Sequence, residues 1–116
     1  NISAEDILWA IHHVGLEAYL KNLPNGIETP LELSGSHLSE SIYNKILIAR
    51  SIVSRPKLLL LEIAMDSFEK TERRRIVDFL TDPSNGWTLV YICNDEYFIS
   101  LANKILRMDG GKLLNK

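Results

Sequence analysis

The chain has 116 residues, 46% of them hydrophobic and 24% charged, with a formal net charge of −2. That is enough apolar chain for one domain with a modest core, and it excludes intrinsic disorder, because burial can offset the entropy of ordering. A charge so near zero argues against a general nucleic-acid or anionic-membrane surface, the single cysteine, Cys93, excludes a disulfide framework, and no run approaches the roughly 18 apolar residues that span a bilayer.

There is no cysteine-built metal site and no signal-peptide pattern, so the sequence reads as a soluble domain from a reducing compartment. Its first residue is Asn, not Met, and it reads as an excerpt of a longer chain. Ser3 is a candidate N-cap with Asp6 three residues on, close to a capping box. Ile7, Leu8, Ile11 and Val14 follow at helical spacing, and Gly15 is a stop signal. Residues 16–23 predict a second short helix, stopped by Pro24 in the turn Leu23-Pro24-Asn25-Gly26. The following stretch to 37 carries Pro30 and Gly35 and is expected to be irregular.

Ser39 is a good N-cap for a long helix whose Ile42, Ile46, Ala49 and Val53 share one face and which Pro56 ends at or before Arg55. Residues 58–61 are four consecutive leucines, the pattern of a strand covered on both faces. Residues 71–80 predict a helix with Ile76, Val77 and Leu80 inward and Arg73, Arg74 and Arg75 solvated. The loop 82–86 leads into a second buried strand at 88–93, after which Asp95 can cap a short helix to about Ala102. Two short strands at 104–108 and 112–114, joined by Asp109-Gly110-Gly111, carry a strong hairpin signal. Helices alternating with buried strands predict an α/β fold with a largely parallel sheet and a terminal hairpin.

The order of these pieces resembles the C-terminal part of the ATPase domain of ABC transporters, most of all the exporter type. Leu23-Pro24-Asn25-Gly26-Ile27-Glu28-Thr29 looks like the family's "LP-x-G-x-x-T" turn, and Leu38-Ser39-Glu40-Ser41-Ile42 sits at its LSGGQ signature. Ile46-Leu47-Ile48-Ala49-Arg50-Ser51 resembles the "IALARA" helix, and Arg55-Pro56-Lys57-Leu58-Leu59-Leu60-Leu61-Glu62 resembles the approach to and strand of Walker B. Asn94 falls where the family places its switch histidine, and 105–113 resemble the closing "IxxLxxGxI" hairpin.

The resemblance implies a helical subdomain, about 1–55, carrying the signature helix, and about 56–116 as the C-terminal half of a RecA-like P-loop NTPase core: a single fragment of an ABC ATPase domain. It implies ATP and Mg²⁺ in a full-length parent. A second ATPase domain and a transmembrane domain are the implied partners, at the cytoplasmic face of the cell membrane, with no nucleic acid involved. The phosphate-cradling loop GxxxxGK[ST] does not occur in this chain, so neither cofactor is expected on it alone.

The positions that match catalytic motifs are altered. Glu62 stands at the Walker B Asp; a carboxylate remains for a Mg²⁺ contact, displaced by one methylene. Ile63 stands at the catalytic Glu and has no lone pair to act as base. Asn94 at the switch position can hydrogen-bond but cannot take up a proton at neutral pH. Glu69 falls at the D-loop Asp. In the signature, whose amides in the family face a phosphate held by the other subunit, Ser39 survives while Glu40 and Ser41 replace the glycines. Glu40 suits a bare helix N-terminus and opposes a phosphate there.

Plainer readings stand beside these. Glu62 ends a strand, Ser39 caps a helix, and Asn94 is a turn residue at a strand end. Cys93 is a small buried hydrophobe, His12 and His13 point to different helix faces and make no metal pair, and Trp9 and Trp87 pack. The chain thus reads as a catalytically degenerate part of an export-coupled ATP-binding subunit, inactive alone and prone to self-association through uncovered sheet. The alternatives are a soluble, non-transport ABC-like ATPase and a non-nucleotide interaction or regulatory module that keeps only the fold.

Overall fold

A computed structural model describes residues 2–23 and 39–114. The 23–29 turn beyond Leu23, the irregular stretch to 37, and Leu38 of the signature lie outside the described residues. The elements run α1 (Ala4–Val14), α2 (Glu17–Lys21), α3 (Glu40–Ile52), β1 (Leu58–Glu62), α4 (Lys70–Leu80), β2 (Thr88–Ile92), α5 (Glu96–Ser100), β3 (Arg107–Asp109) and β4 (Lys112–Leu114).

Local chemistry fixes the helix ends. Ser3 and Asp6 close a full capping box on α1: the Asp6 N–H donates to Ser3 Oγ and the Ser3 N–H donates to the Asp6 carboxylate, each at 3.1 Å. Gly15 ends α1 at φ 81°, in the left-handed region that glycine enters without strain. Asp95 accepts from the Phe98 N–H at 2.9 Å and opens α5. Gly110 and Gly111, both at positive φ, turn β3 into β4. Arg55 is the one non-glycine residue at positive φ among the described residues; its guanidinium donates to Asp6 at 3.1 Å and lies 3.7 Å over the Trp9 ring.

The Ser3 amide, and after it the Arg55 guanidinium, hold the Asp6 carboxyl below its ordinary range. A depressed carboxylate contributes stability that is complete above its unfolded value, about pH 4, and is lost as pH falls through the lower folded value. Acid melts of the native chain are therefore expected to fall more steeply below about pH 4 than those of an Asp6→Asn variant.

The core joins Ala10, Ile11 and Val14 of α1, Ile48 and Ile52 of α3, Ile76, Val77 and Leu80 of α4, and Leu59 and Leu61 of β1. Leu16, Met65, Phe68 and Phe98 complete it. Three expectations are corrected. On α1, Ile7 and Leu8 are both exposed, and Ala10 is buried beside Ile11 and Val14. On α3 the deepest stripe is Asn44, Lys45, Ile48 and Ile52, while Ile42, Ile46, Ala49 and Val53 are only partly buried, because α3 packs against α1, β1 and the Met65–Ser67 turn. Arg73 is not solvated: it lies three and four residues before Ile76 and Val77, on the inward face of α4, and its side chain is 28% exposed.

Polar groups also tie α3 down. Asn44 Nδ2 donates to Ser67 Oγ at 2.9 Å, and the Lys45 ammonium pairs with the Glu72 carboxylate of α4. Gly15 abuts that pair, so the end of α1 meets α3 and α4 at one point.

β1 and β2 pair in parallel, Leu58 opposite Thr88 through Glu62 opposite Ile92; β3 and β4 form a separate antiparallel pair. The expectation that both parallel strands are covered on both faces is corrected. Leu59 and Leu61 are buried, but on the other face Leu58 is 55%, Leu60 64%, Val90 50% and Ile92 67% exposed. The buried residues of α1, α3, α4 and α5 cluster with Leu59 and Leu61. An all-apolar strand reports which side chains seek cover, not whether cover is present.

Candidate functional site

The parallel register sets Glu62 and Ile92 side by side at the carboxyl ends of their strands, so the residues that follow each strand share one edge of the sheet. A cleft of about 910 Å³ opens there. It is lined by Glu62 at the end of β1, by Ile63 and Asp66 after it, by Lys70 and Arg73 of α4, and by Asn94 after β2, among others. The carboxyl edge of a parallel sheet is where open α/β folds bind ligands, because loops diverge there and leave a crevice.

The structure brings Glu62, Ile63 and Asn94 together, as three residues of one cleft. Glu62 and Asn94 are exposed and make no side-chain hydrogen bond among the described residues. Ile63 is half-buried against the core and offers no polar atom. Ser39, Glu40 and Ser41 do not line this cleft. Ser39 is spent on its own helix, its Oγ accepting from the Ile42 N–H at 3.1 Å, and Glu40 occupies the first turn of α3, where the positive helix end favours a carboxylate. Glu69 precedes α4 and its side chain makes no capping bond.

Sequence reading missed Lys70, Arg73 and Asp95 as cleft residues. For Arg73 the signal was present in its i, i+3, i+4 spacing to Ile76 and Val77. For Asp95 it was not, since its partner lies 22 positions away and only strand pairing brings the two loops together. Cys93 also lines the cleft, with its thiol against the Asp95 carbonyl at 3.9 Å. Burial pushes that thiol above its ordinary pKa, which keeps it protonated and a poor nucleophile.

Among the described residues no group of three or more His, Cys, Asp or Glu could hold a metal ion. Glu62 supplies one exposed carboxylate, and the sequence has no Gly-rich loop or loop lysine to hold phosphates. These residues by themselves do not fit a Mg²⁺–nucleotide site. What the cleft offers is a mixed-charge crevice with the amide of Asn94, the carboxylates of Glu62, Asp66, Asp95 and Glu96, and the cations of Lys70, Arg73 and Arg74.

Opening the first turn of α3 with glycine tests what Glu40 and Ser41 do. Replacing both by Gly is expected to cost roughly 0.5–1 kcal/mol per position in a thermal melt, from the lost helix propensity and the lost charge at the helix end.

No family model matches the chain. Leptomycin B resistance protein pmd1 of Schizosaccharomyces pombe is 31% identical over 111 residues, 96% of this chain and 8% of that protein. P-glycoprotein 14 of Caenorhabditis elegans is 30% identical over 113 residues, 97% of this chain and 8% of that protein. A putative export ATP-binding/permease protein of Rickettsia bellii is 27% identical over 109 residues, 94% of this chain and 19% of that protein. The chain therefore spans less than a fifth of the length of each of these curated relatives. Among the described residues no helix is long and apolar enough to cross a membrane. Over nearly its whole length the chain is a homologue of the ABC exporters, and it corresponds to one segment of them.

Proposed function

We propose that the chain is a catalytically degenerate segment of an ABC-transporter ATP-binding subunit that couples nucleotide binding to export. The observation that supports this is the meeting of Glu62, Ile63 and Asn94 in one cleft; these are the residues that the resemblance sets at exporter motif positions, with the carboxylate kept at Glu62 and the water-activating and proton-accepting chemistry lost at Ile63 and Asn94. Glu62 holds a carboxylate at the strand end. Ile63 can neither orient nor deprotonate a water. Asn94 can donate a hydrogen bond but moves no proton. In a full-length parent, ATP and Mg²⁺ would supply the phosphoryl chemistry, and Ser39, Glu40 and Ser41 would face a partner ATPase domain as a weakened signature.

In this reading residues 1–55 are the helical subdomain and 56–116 the later half of a RecA-like core. The bare face of Leu58, Leu60, Val90 and Ile92 is where the remaining core of the parent packs, since a parallel sheet is normally covered on both sides and the relatives are several times longer than the matched segment. The subunit would work at the cytoplasmic face of the membrane, beside a transmembrane domain and without nucleic acid.

The test has three parts. Phosphate release from the purified chain with ATP and Mg²⁺ is expected at the no-protein background; release that Glu62→Ala abolishes would contradict degeneracy. Sedimentation is expected to show self-association, which Leu60→Glu with Ile92→Lys should suppress; a clean monomer at high concentration would contradict the uncovered core. The coding sequence upstream of Asn1 is expected to encode membrane-spanning helices. Their absence from both the gene and its neighbours would favour the soluble, non-transport reading.

A further inference from the structure

Arg73 holds together two loops that belong to different strands. Its Nη1 donates to Asp95 Oδ1 at 3.2 Å, and its Nη2 donates to the Phe68 carbonyl at 3.2 Å. Phe68 closes the turn that follows β1, and Asp95 lies in the loop that follows β2, directly after Asn94. Both loops wall the cleft. Asp95 is itself fixed, because its second carboxylate oxygen accepts from the Phe98 N–H at 2.9 Å and so binds the loop to α5.

Two features separate this guanidinium from its neighbours on α4. Arg74 lies 3.9 Å over the Tyr97 ring, and Arg75 donates to the His12 carbonyl at 3.2 Å, so neither spans the two loops. The Nε of Arg73 is buried without an acceptor among the described residues. A buried donor left unmade is costly, and it is tolerated where the rest of the group is held by stronger bonds. The planar fork is suited to this task, since two parallel donors with fixed spacing can span two acceptors that a single ammonium cannot.

We propose that Arg73 is a positioning residue that sets the separation of the two cleft loops, and so fixes Asn94 relative to the end of β1. The role depends on the geometry of the two loops and not on what enters the cleft. It goes beyond the transporter reading, and neither stands or falls with the other.

Amide hydrogen exchange on the native 116-residue chain and on Arg73→Ala and Arg73→Lys variants tests it. The reporters are the Ser67 and Phe68 amides in the first loop and, for the second, the Phe98 and Ile99 amides of α5, which donate to Asp95 of that loop. The reference is the Thr88 amide, which donates to Lys57 at the start of the sheet. Arg73→Ala is expected to speed exchange about tenfold or more in both loops while the sheet reference stays unchanged, the signature of local opening. Arg73→Lys is expected to keep one loop slow and release the other, since the ammonium reaches only one acceptor. Acceleration of reporters and reference by one common factor would show that Arg73 only adds global stability and would overturn the proposal. So would unchanged loops in the alanine variant, or two slow loops in the lysine variant. If circular dichroism shows the alanine variant unfolded, the lysine variant decides alone.

Discussion

Truncating Phe98 to alanine is expected to remove about 3–5 kcal/mol of folding stability. Phe98 is 1% exposed and stacks on Tyr91 with ring centroids 3.7 Å apart, and the Tyr91 hydroxyl donates to the Phe98 carbonyl at 2.6 Å. The side chain is the only fully buried one on α5, so nothing else on that helix can take over its anchoring. A domain of this size has a total stability of about 5–15 kcal/mol, so the loss is a large share of the whole. The functional consequence follows from position. α5 begins directly after the loop bearing Asn94 and Asp95, and loosening the helix frees one wall of the cleft. Urea unfolding of the native and Phe98→Ala chains measures the difference as a shift of midpoint. A loss below about 1 kcal/mol would mean that α5 is not anchored through this ring.

Neutralising Glu72 is expected to destabilise the fold by about 3 kcal/mol, because it strands the Lys45 ammonium in the interior. The Lys45 side chain is only 7% exposed, while Glu72 is 28% exposed and keeps part of its solvation, which places the loss at the lower end of the range for a broken buried pair. Replacing both partners with apolar residues, Lys45→Met with Glu72→Leu, is expected to recover most of that loss, since desolvation of two charges offsets much of their attraction. Thermal melts of the single and double variants decide it. A double variant no better than the single would show that the pair contributes net stability rather than avoiding a penalty. The pair joins α3, whose first turn carries Glu40 and Ser41, to α4, whose Lys70 and Arg73 line the cleft.

The helix ends were legible residue by residue. Ser3 with Asp6, Ser39 and Asp95 each cap the helix they were expected to cap, and Gly15 stops α1, because a cap is a contact between residues three or four apart. The hairpin was legible for the same reason, in Gly110 and Gly111. The homology to ABC exporters was legible too, because the resemblance rested on the order and spacing of several pieces rather than on any one side chain.

The inward stripe of α3 was not legible. Asn44 and Lys45 have no apolar signal; each is buried only because Ser67 and Glu72, more than 20 residues away, satisfy it. The same holds for Arg73, whose three-residue cationic run suggests solvent until Asp95 and the Phe68 carbonyl are placed beside it.

The sequence by itself determined that helices, two parallel-type strands and a terminal hairpin follow one another in this order, because these depend on local conformation; their ends moved by a few residues, the first hairpin strand being Arg107–Asp109 where 104–108 was expected. Only the tertiary structure decided that Glu62, Ile63 and Asn94 share one cleft with Arg73 and Asp95, and that one face of the leucine strand stays bare. Both depend on which strand pairs with which and on what packs above it, and a sequence records the preference of a side chain for cover without recording its neighbour.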